Sequence, residues 1–148
     1  MTQLTSEQAK AEIELGKKEV EDQGINPIQT FVYPFEDWNE SVEQLVKNAG
    51  FLGARRGWGT NSGFNSKSAD PYKLESKSPV ISTKVAEVKQ WVDTAITNNT
   101  WLILAFHLTD TSGGEYSFTP ANFKEVSGYI KSKQVNVVTT QQGFDISK

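Results

Sequence analysis

The stretch WLILAFHLTD, residues 101–110, says more about the fold than any other part of this sequence. Its first six residues are apolar, which is typical of a strand that is buried on both faces of a parallel sheet. The strand pattern ends at His107, the only histidine among the 148 residues. His107 has two interpretations: a hydrogen-bonded packing residue, or a residue of a functional site.

Helical and strand patterns alternate along the rest of the chain. Helices are expected at residues 5–23 and 36–50, after residue 83, and at 118–133, and strands at 29–34, 51–58, 101–107 and 135–140. Each helix is preceded by a residue type that caps helix N-termini. These caps are Thr5 (with Gln8), Asp37 or Asn39, Thr83, and Thr119 (with Pro120). Strands separated by helices predict an α/β fold with a parallel sheet, and residues 59–82 form a long loop.

Composition excludes several classes of function. With 15 basic and 18 acidic residues, the net charge is −3, and no basic surface for nucleic acid is expected. The chain has no cysteine, and no apolar run approaches the roughly 20 residues of a membrane-spanning helix. The segment MTQLTSEQAK has no signal-peptide core, which leaves the cellular location unknown. A zinc site that needs two or three histidines cannot be assembled from this chain alone.

The predicted strands end in residues that carry chemistry. In a parallel sheet these ends share one edge, where sites of α/β proteins lie. The residues are Pro34, Phe35 and Asp37; Trp58; His107 and Asp110; and Thr139, Thr140 and Gln141. Asp110 either orients His107 or is a solvated loop residue. Several aromatic side chains are expected either to stack on sugars or to pack in the core: Tyr33, Phe35, Trp38, Trp58, Phe64 and Tyr72.

Three segments resemble a known family. TFVYPFEDWNESVEQLVKNAGFLGAR (30–55), WVDTAITNNTWLILAFH (91–107) and YSFTPANFKEVSGYIKSKQVNVVTT (116–140) look like the C-terminal half of a polysaccharide deacetylase, the NodB-homology domain of carbohydrate esterase family 4. The resemblance runs from about Leu4 to Gly143. It implies a partial (β/α) barrel with parallel strands, in a family that removes N-acetyl or O-acetyl groups from polysaccharides.

The resemblance also implies roles for individual residues. His107 corresponds to the general acid of the family, and the backbone amide of Phe35 corresponds to an oxyanion-hole donor. Tyr33, Pro34, Trp38 and Trp58 are the expected substrate contacts. Two positions depart from the family pattern: Val32 stands where many members have arginine, and Glu36 replaces a glycine.

In the family, one aspartate and two histidines hold a divalent metal, usually zinc, and a second aspartate is the general base. The Thr-Phe-Asp-Asp and His-x-x-x-His motifs that supply these groups do not occur in this sequence. Residues 1–148 are therefore interpreted as a single truncated deacetylase-like domain that binds no metal and is inactive by itself, or active only when the missing segment is supplied. The alternatives are a non-catalytic module that binds carbohydrate and a module for assembly.

The expected partner is an acetylated polysaccharide or oligosaccharide. A second copy of the chain is also expected, because an open set of parallel strands leaves a sheet edge unpaired. A helix at residues 5–23 that folds over this edge would instead leave the chain monomeric. Members of the family are often secreted or attached to the cell surface.

Overall fold

The computed structural model describes residues 1–25, 27–57 and 63–146, in which helices and strands are mixed. The chain divides into two units. The first unit consists of Met1–Gly57, Ala69–Leu74 and Val138–Lys148, and the second consists of Trp58–Ser68 and Glu75–Val137. No helix in the described ranges is long and apolar enough to cross a lipid bilayer.

Side-chain caps set the N-terminal starts of the first two helices, as the sequence predicts. Helix α1 spans Ser6–Asp22, and Thr5 and Gln8 form a reciprocal capping box at its start. Helix α2 spans Glu40–Asn48, and the Asn39 side chain accepts a hydrogen bond from the Val42 amide at 2.8 Å. Of the two predicted caps for α2, Asn39 is therefore the correct one.

A two-stranded parallel sheet lies in the first unit. Strand β1 (Thr30–Val32) pairs in parallel with β2 (Gly53–Arg55), and Arg55 forms a further parallel bridge with Leu74. The sheet and helices α1 and α2 enclose a core of apolar side chains, which follows from the stripes of buried residues on both helices. This core consists of Ile13, Tyr33, Val42, Val46, Phe51 and Ala54.

Helix α5 (Thr140–Ile146) returns to the first unit. The aromatic ring of Phe144 lies so close to Gly53 that a Cβ at this position would clash with the ring. Glycine in β2 therefore permits α5 to pack against the sheet.

The second unit contains two longer helices and a short antiparallel pair of strands. Helix α3 spans Val85–Asn98 and helix α4 spans Pro120–Ser132. Strand β3 (Phe64–Asn65) pairs antiparallel with β4 (Trp101–Leu102). The core residues Val88, Phe118 and Val126 are buried against further apolar side chains, among them Trp91, Leu104 and Phe106.

Three predictions from the sequence are wrong. The cap of α3 is Lys84, because the Thr83 hydroxyl accepts a hydrogen bond from the Val80 amide instead. The strand expected at 101–107 is regular only at Trp101–Leu102, and its regular partner runs antiparallel. Residues 135–139 form no strand: Thr139 and Gln142 make a capping box that begins α5 and competes with the extended conformation.

Candidate functional site

The predicted site residues lie in different parts of the chain. Tyr33, Pro34, Phe35 and Trp38 belong to the first unit, whereas His107 belongs to the second. Trp58 lies outside the described residues. Each unit therefore contributes its own set of side chains.

A strained turn follows β1. Pro34–Glu36 form a single 3-10 turn in which Phe35 and Glu36 have φ angles of 55° and 60°. Two consecutive residues with side chains in the left-handed region are uncommon, and such strain often occurs at functional sites. The Phe35 side chain is 100% exposed, so burial of this ring does not explain the conformation. The Glu36 side chain covers Gly57, and a Cβ at that position would require this side chain to move.

Tyr33 directly precedes this turn and anchors it in the core of the first unit. Its side chain is only 1% exposed and its hydroxyl donates a hydrogen bond to the Tyr72 carbonyl at 3.2 Å. Burial, followed by the nearby charge of Glu43, raises the pKa of the Tyr33 hydroxyl above its ordinary value. Tyr33 is thus a core residue that supports the turn and is not accessible to a ligand in solvent.

The Trp38 side chain contacts charged neighbours through a hydrogen bond and two cation–π interactions. Its indole N–H donates to the buried carboxylate of Glu43 at 3.0 Å. The cationic groups of Arg56 and Lys73 lie 4.9 and 5.2 Å from the centre of its ring. Glu43 also forms an ion pair of 2.6 Å with Lys47. With its donor used and cations over its ring, Trp38 organises this charge cluster and presents little open surface for a sugar.

Arg55 lies beside Val32, the position at which many members of the family that the sequence resembles have arginine. The two residues are register partners in the parallel sheet. Partial burial lowers the pKa of the Arg55 guanidinium, and the negative charge of Glu36 opposes this effect. A positive charge is therefore present next to Val32, although it comes from the neighbouring strand.

His107 is exposed to solvent. Its ring centre lies 5.3 Å from that of Tyr116, and the two ring planes are inclined by 42°. Within the described residues, the imidazole forms no hydrogen bond or ion pair. The interpretation of His107 as a buried, hydrogen-bonded packing residue therefore does not describe this structure.

Asp110 bonds to serines and not to His107. Its carboxylate accepts hydrogen bonds from the Ser117 hydroxyl at 2.6 Å, the Ser112 hydroxyl at 3.0 Å and the Ser112 amide at 3.2 Å. These bonds, first those from Ser117 and then those from Ser112, hold the pKa of Asp110 below its ordinary value. Asp110 therefore fixes the loop that follows His107. We name residues 107–117 the His107 loop.

The metal site that the resemblance implies does not fit the residues present. That site needs one aspartate and two histidines, and His107 is the only histidine in the sequence. Residues 1–25, 27–57 and 63–146 contain no cluster of three histidine, cysteine, aspartate or glutamate side chains that would hold a metal ion. No step of a reaction is therefore assigned to a metal here.

Sequence reasoning missed Glu43 and Tyr116. Glu43 has a local signal, since it stands four residues before Lys47 on a helix and five residues after Trp38. Tyr116 has none, because eight residues lie between it and His107 and only the folding of the loop brings the rings together.

Three comparisons with known proteins were without a match. A scan against protein-family models, a search of curated proteins and a search of solved structures found no match to this chain.

Proposed function

We propose that this chain supplies the proton-donating part of a polysaccharide deacetylase-type site, with His107 as the general acid. The observation that most supports this role is the solvent exposure of the imidazole and its lack of hydrogen bonds within the described residues. The imidazole is exposed at the end of the 101–107 segment, and within the described residues neither ring nitrogen has a hydrogen-bond partner. Both nitrogens are thus available to a substrate.

The chemistry needs such a group. Hydrolysis of an acetyl group breaks the bond between the carbonyl carbon and the nitrogen or oxygen of the sugar, and that atom must receive a proton as it leaves. Histidine changes its charge near neutral pH, so it is well suited to donate this proton. A general acid typically contributes about 10²–10⁴-fold to the rate.

The proposal places the metal ligands and the general base on polypeptide outside these 148 residues. The isolated chain is then expected to release no acetate. The partial (β/α) barrel is also part of the proposal, and the parallel pair of β1 and β2 supports it. For the first unit by itself, we propose that the Phe35 amide is an oxyanion donor, which the strained turn at Pro34–Glu36 supports.

Self-association is a further part of the proposal. Among the described residues, β1 pairs with β2 on one side only, and Val32 on β1 is 49% exposed. A second copy of the chain would satisfy this edge. Sedimentation velocity at micromolar concentration tests the expectation of a dimer, and a monomer at every concentration contradicts it.

The central experiment uses the fact that His107 is the only histidine. Its imidazole gives one set of proton NMR signals that needs no further assignment. We expect penta-N-acetylchitopentaose or acetylated xylo-oligosaccharides, at millimolar concentration, to shift these signals. The matched deacetylated sugars are the control, and they should shift the signals less.

Three outcomes of these experiments distinguish the proposed deacetylase-type site from its alternatives. If no acetylated sugar shifts the His107 signals, the deacetylase-type site is wrong. If acetylated and deacetylated sugars act equally, a non-catalytic carbohydrate-binding module is the better description. If the chain alone releases acetate, and both a chelator and His107→Ala abolish this activity, the requirement for an outside segment is wrong.

A further inference from the structure

Backbone hydrogen bonds join the two ends of the His107 loop. The Leu108 amide donates to the Tyr116 carbonyl at 3.3 Å, and the Phe118 amide donates back to the Leu108 carbonyl at 2.8 Å. Phe118 is buried and packs against Phe106, with ring centres 5.5 Å apart. The two ends of the loop are therefore joined to each other and anchored in the core of the second unit.

The interior of the loop is organised by Asp110. Its carboxylate binds both serines of the loop, and the Ser117 side chain is fully buried. Hydrogen bonds to an ionised carboxylate are stronger than those between neutral groups. The loop is thereby prepared in one conformation before any ligand binds, which lowers the entropic cost of binding.

Tyr116 is displayed by this loop next to His107. Its side chain is 45% exposed, and Leu108 and Ile81 are further exposed apolar residues of the same unit. The Ile81 amide donates to the carbonyl of Glu115, the residue before Tyr116, at 3.2 Å. A partly exposed aromatic ring therefore adjoins the imidazole.

Among the aromatic residues that the sequence favoured for sugar binding, Tyr33 is buried, and the cationic groups of Arg56 and Lys73 lie over the ring of Trp38. Phe35 is fully exposed, but it belongs to the first unit and His107 to the second. Tyr116 combines an open ring surface with contact to the proposed acid.

The geometry points to Tyr116 as a binding residue for a pyranose ring, which it holds so that the acetylated position of that sugar faces His107. This inference rests on the proposed function and names the substrate contact of its site. One face of a pyranose presents C–H groups, and these pack on the flat, electron-rich face of an aromatic ring. The hydroxyl of Tyr116 additionally offers a hydrogen-bond donor and acceptor to the sugar.

The test compares variants at position 116 by titration with penta-N-acetylchitopentaose. Binding is measured from the His107 imidazole signals. Tyr116→Phe keeps the ring and should bind within about threefold of the wild type, as loss of one exposed hydrogen bond predicts. Tyr116→Leu keeps an apolar side chain but loses the flat ring, and should bind about tenfold more weakly or worse, which corresponds to 1.4 kcal/mol.

Val137→Ala is the matched control. Val137 is also an exposed apolar residue of the second unit, and its replacement should leave binding unchanged. Circular dichroism melts of all variants check that they fold. If Tyr116→Leu does not fold, nuclear Overhauser effects between the Tyr116 ring and sugar protons in the wild-type chain decide the question.

The outcomes separate this inference from the proposed function. If Tyr116→Leu binds as tightly as the wild type, or if the wild-type ring shows no Overhauser effect to the bound sugar, the role of Tyr116 is wrong and that of His107 stands. If the wild type shows no shift at all, the proposed function fails and this inference fails with it.

Discussion

At the scale of single residues, His107 and Asp110 are close in sequence but differ in what they do. The imidazole is exposed and has no hydrogen-bond partner among the described residues, whereas the carboxylate is bonded to two serines. The three-residue spacing of His107 and Asp110 is compatible with an orienting pair. It does not form here, and the carboxylate accepts hydrogen bonds from the two serines instead.

We predict that His107→Gln changes the free energy of unfolding by less than about 0.5 kcal/mol, because an exposed side chain without hydrogen-bond partners contributes little to stability. Urea denaturation monitored by tryptophan fluorescence measures this. Phe118→Ala is the comparison, since truncation of a buried aromatic residue typically costs about 3–5 kcal/mol. A loss of more than about 1 kcal/mol in His107→Gln would show that the imidazole has a structural role.

Asp110 should make stability depend on pH. Its folded pKa is below the unfolded value of about 3.9, so the folded state binds the proton less tightly than the unfolded state. The stabilising contribution is therefore fully present above the unfolded pKa and is lost as the pH falls through the folded pKa. Asp110→Asn should destabilise the chain at pH 7, and the difference from the wild type should shrink below about pH 4.

The measurement is urea denaturation of both proteins at a series of pH values from neutral to acidic. Other carboxylates also titrate in this range, and taking the difference between wild type and Asp110→Asn removes their contribution. A difference that stays constant across the series would contradict the assignment.

At the scale of elements, the region predicted as a long loop contains a buried polar connection. Asn65 on β3 is buried; its side-chain amide donates to the carbonyls of Glu75 and Trp101 at 2.9 and 3.0 Å, and it accepts from the Glu75 amide at 2.9 Å. One side chain thus satisfies backbone groups of two other segments. This explains how β3 and β4 form a pair although each has only two residues.

Asn65→Ala should destabilise the chain by about 1–3 kcal/mol or more, because it leaves buried backbone groups without partners. Ser66→Ala, at the exposed neighbouring position, is the control and should change stability by less than about 0.5 kcal/mol. Urea denaturation compares the two. Equal stabilities of the two variants would show that Asn65 does not hold these segments together.

At the scale of the whole molecule, the inventory of metal-binding side chains gives a further prediction. We expect the purified chain to retain no stoichiometric zinc or other transition metal after desalting, because it has one histidine and no cysteine. Elemental analysis measures this. About one equivalent of retained metal would mean that carboxylates or a second copy of the chain complete a site.

The sequence by itself predicted helices α1 to α4 of this protein, because the signals that begin and end a helix act within one turn. Thr5 with Gln8, Asn39, and Thr119 with Pro120 each satisfy or replace backbone amides a few residues away. The same reasoning applied to Thr139 and Gln142 would have predicted α5, and the apolar run before them suggested a strand instead.

Only the tertiary structure decided the direction of strand pairing and the surroundings of the candidate site. The antiparallel pairing of Phe64–Asn65 with Trp101–Leu102, the contact of Tyr116 with His107, and the charge cluster around Trp38 join residues that local patterns do not connect. Strands and surface side chains take their partners from distant parts of the chain, and their energies depend on packing and burial that no local motif encodes.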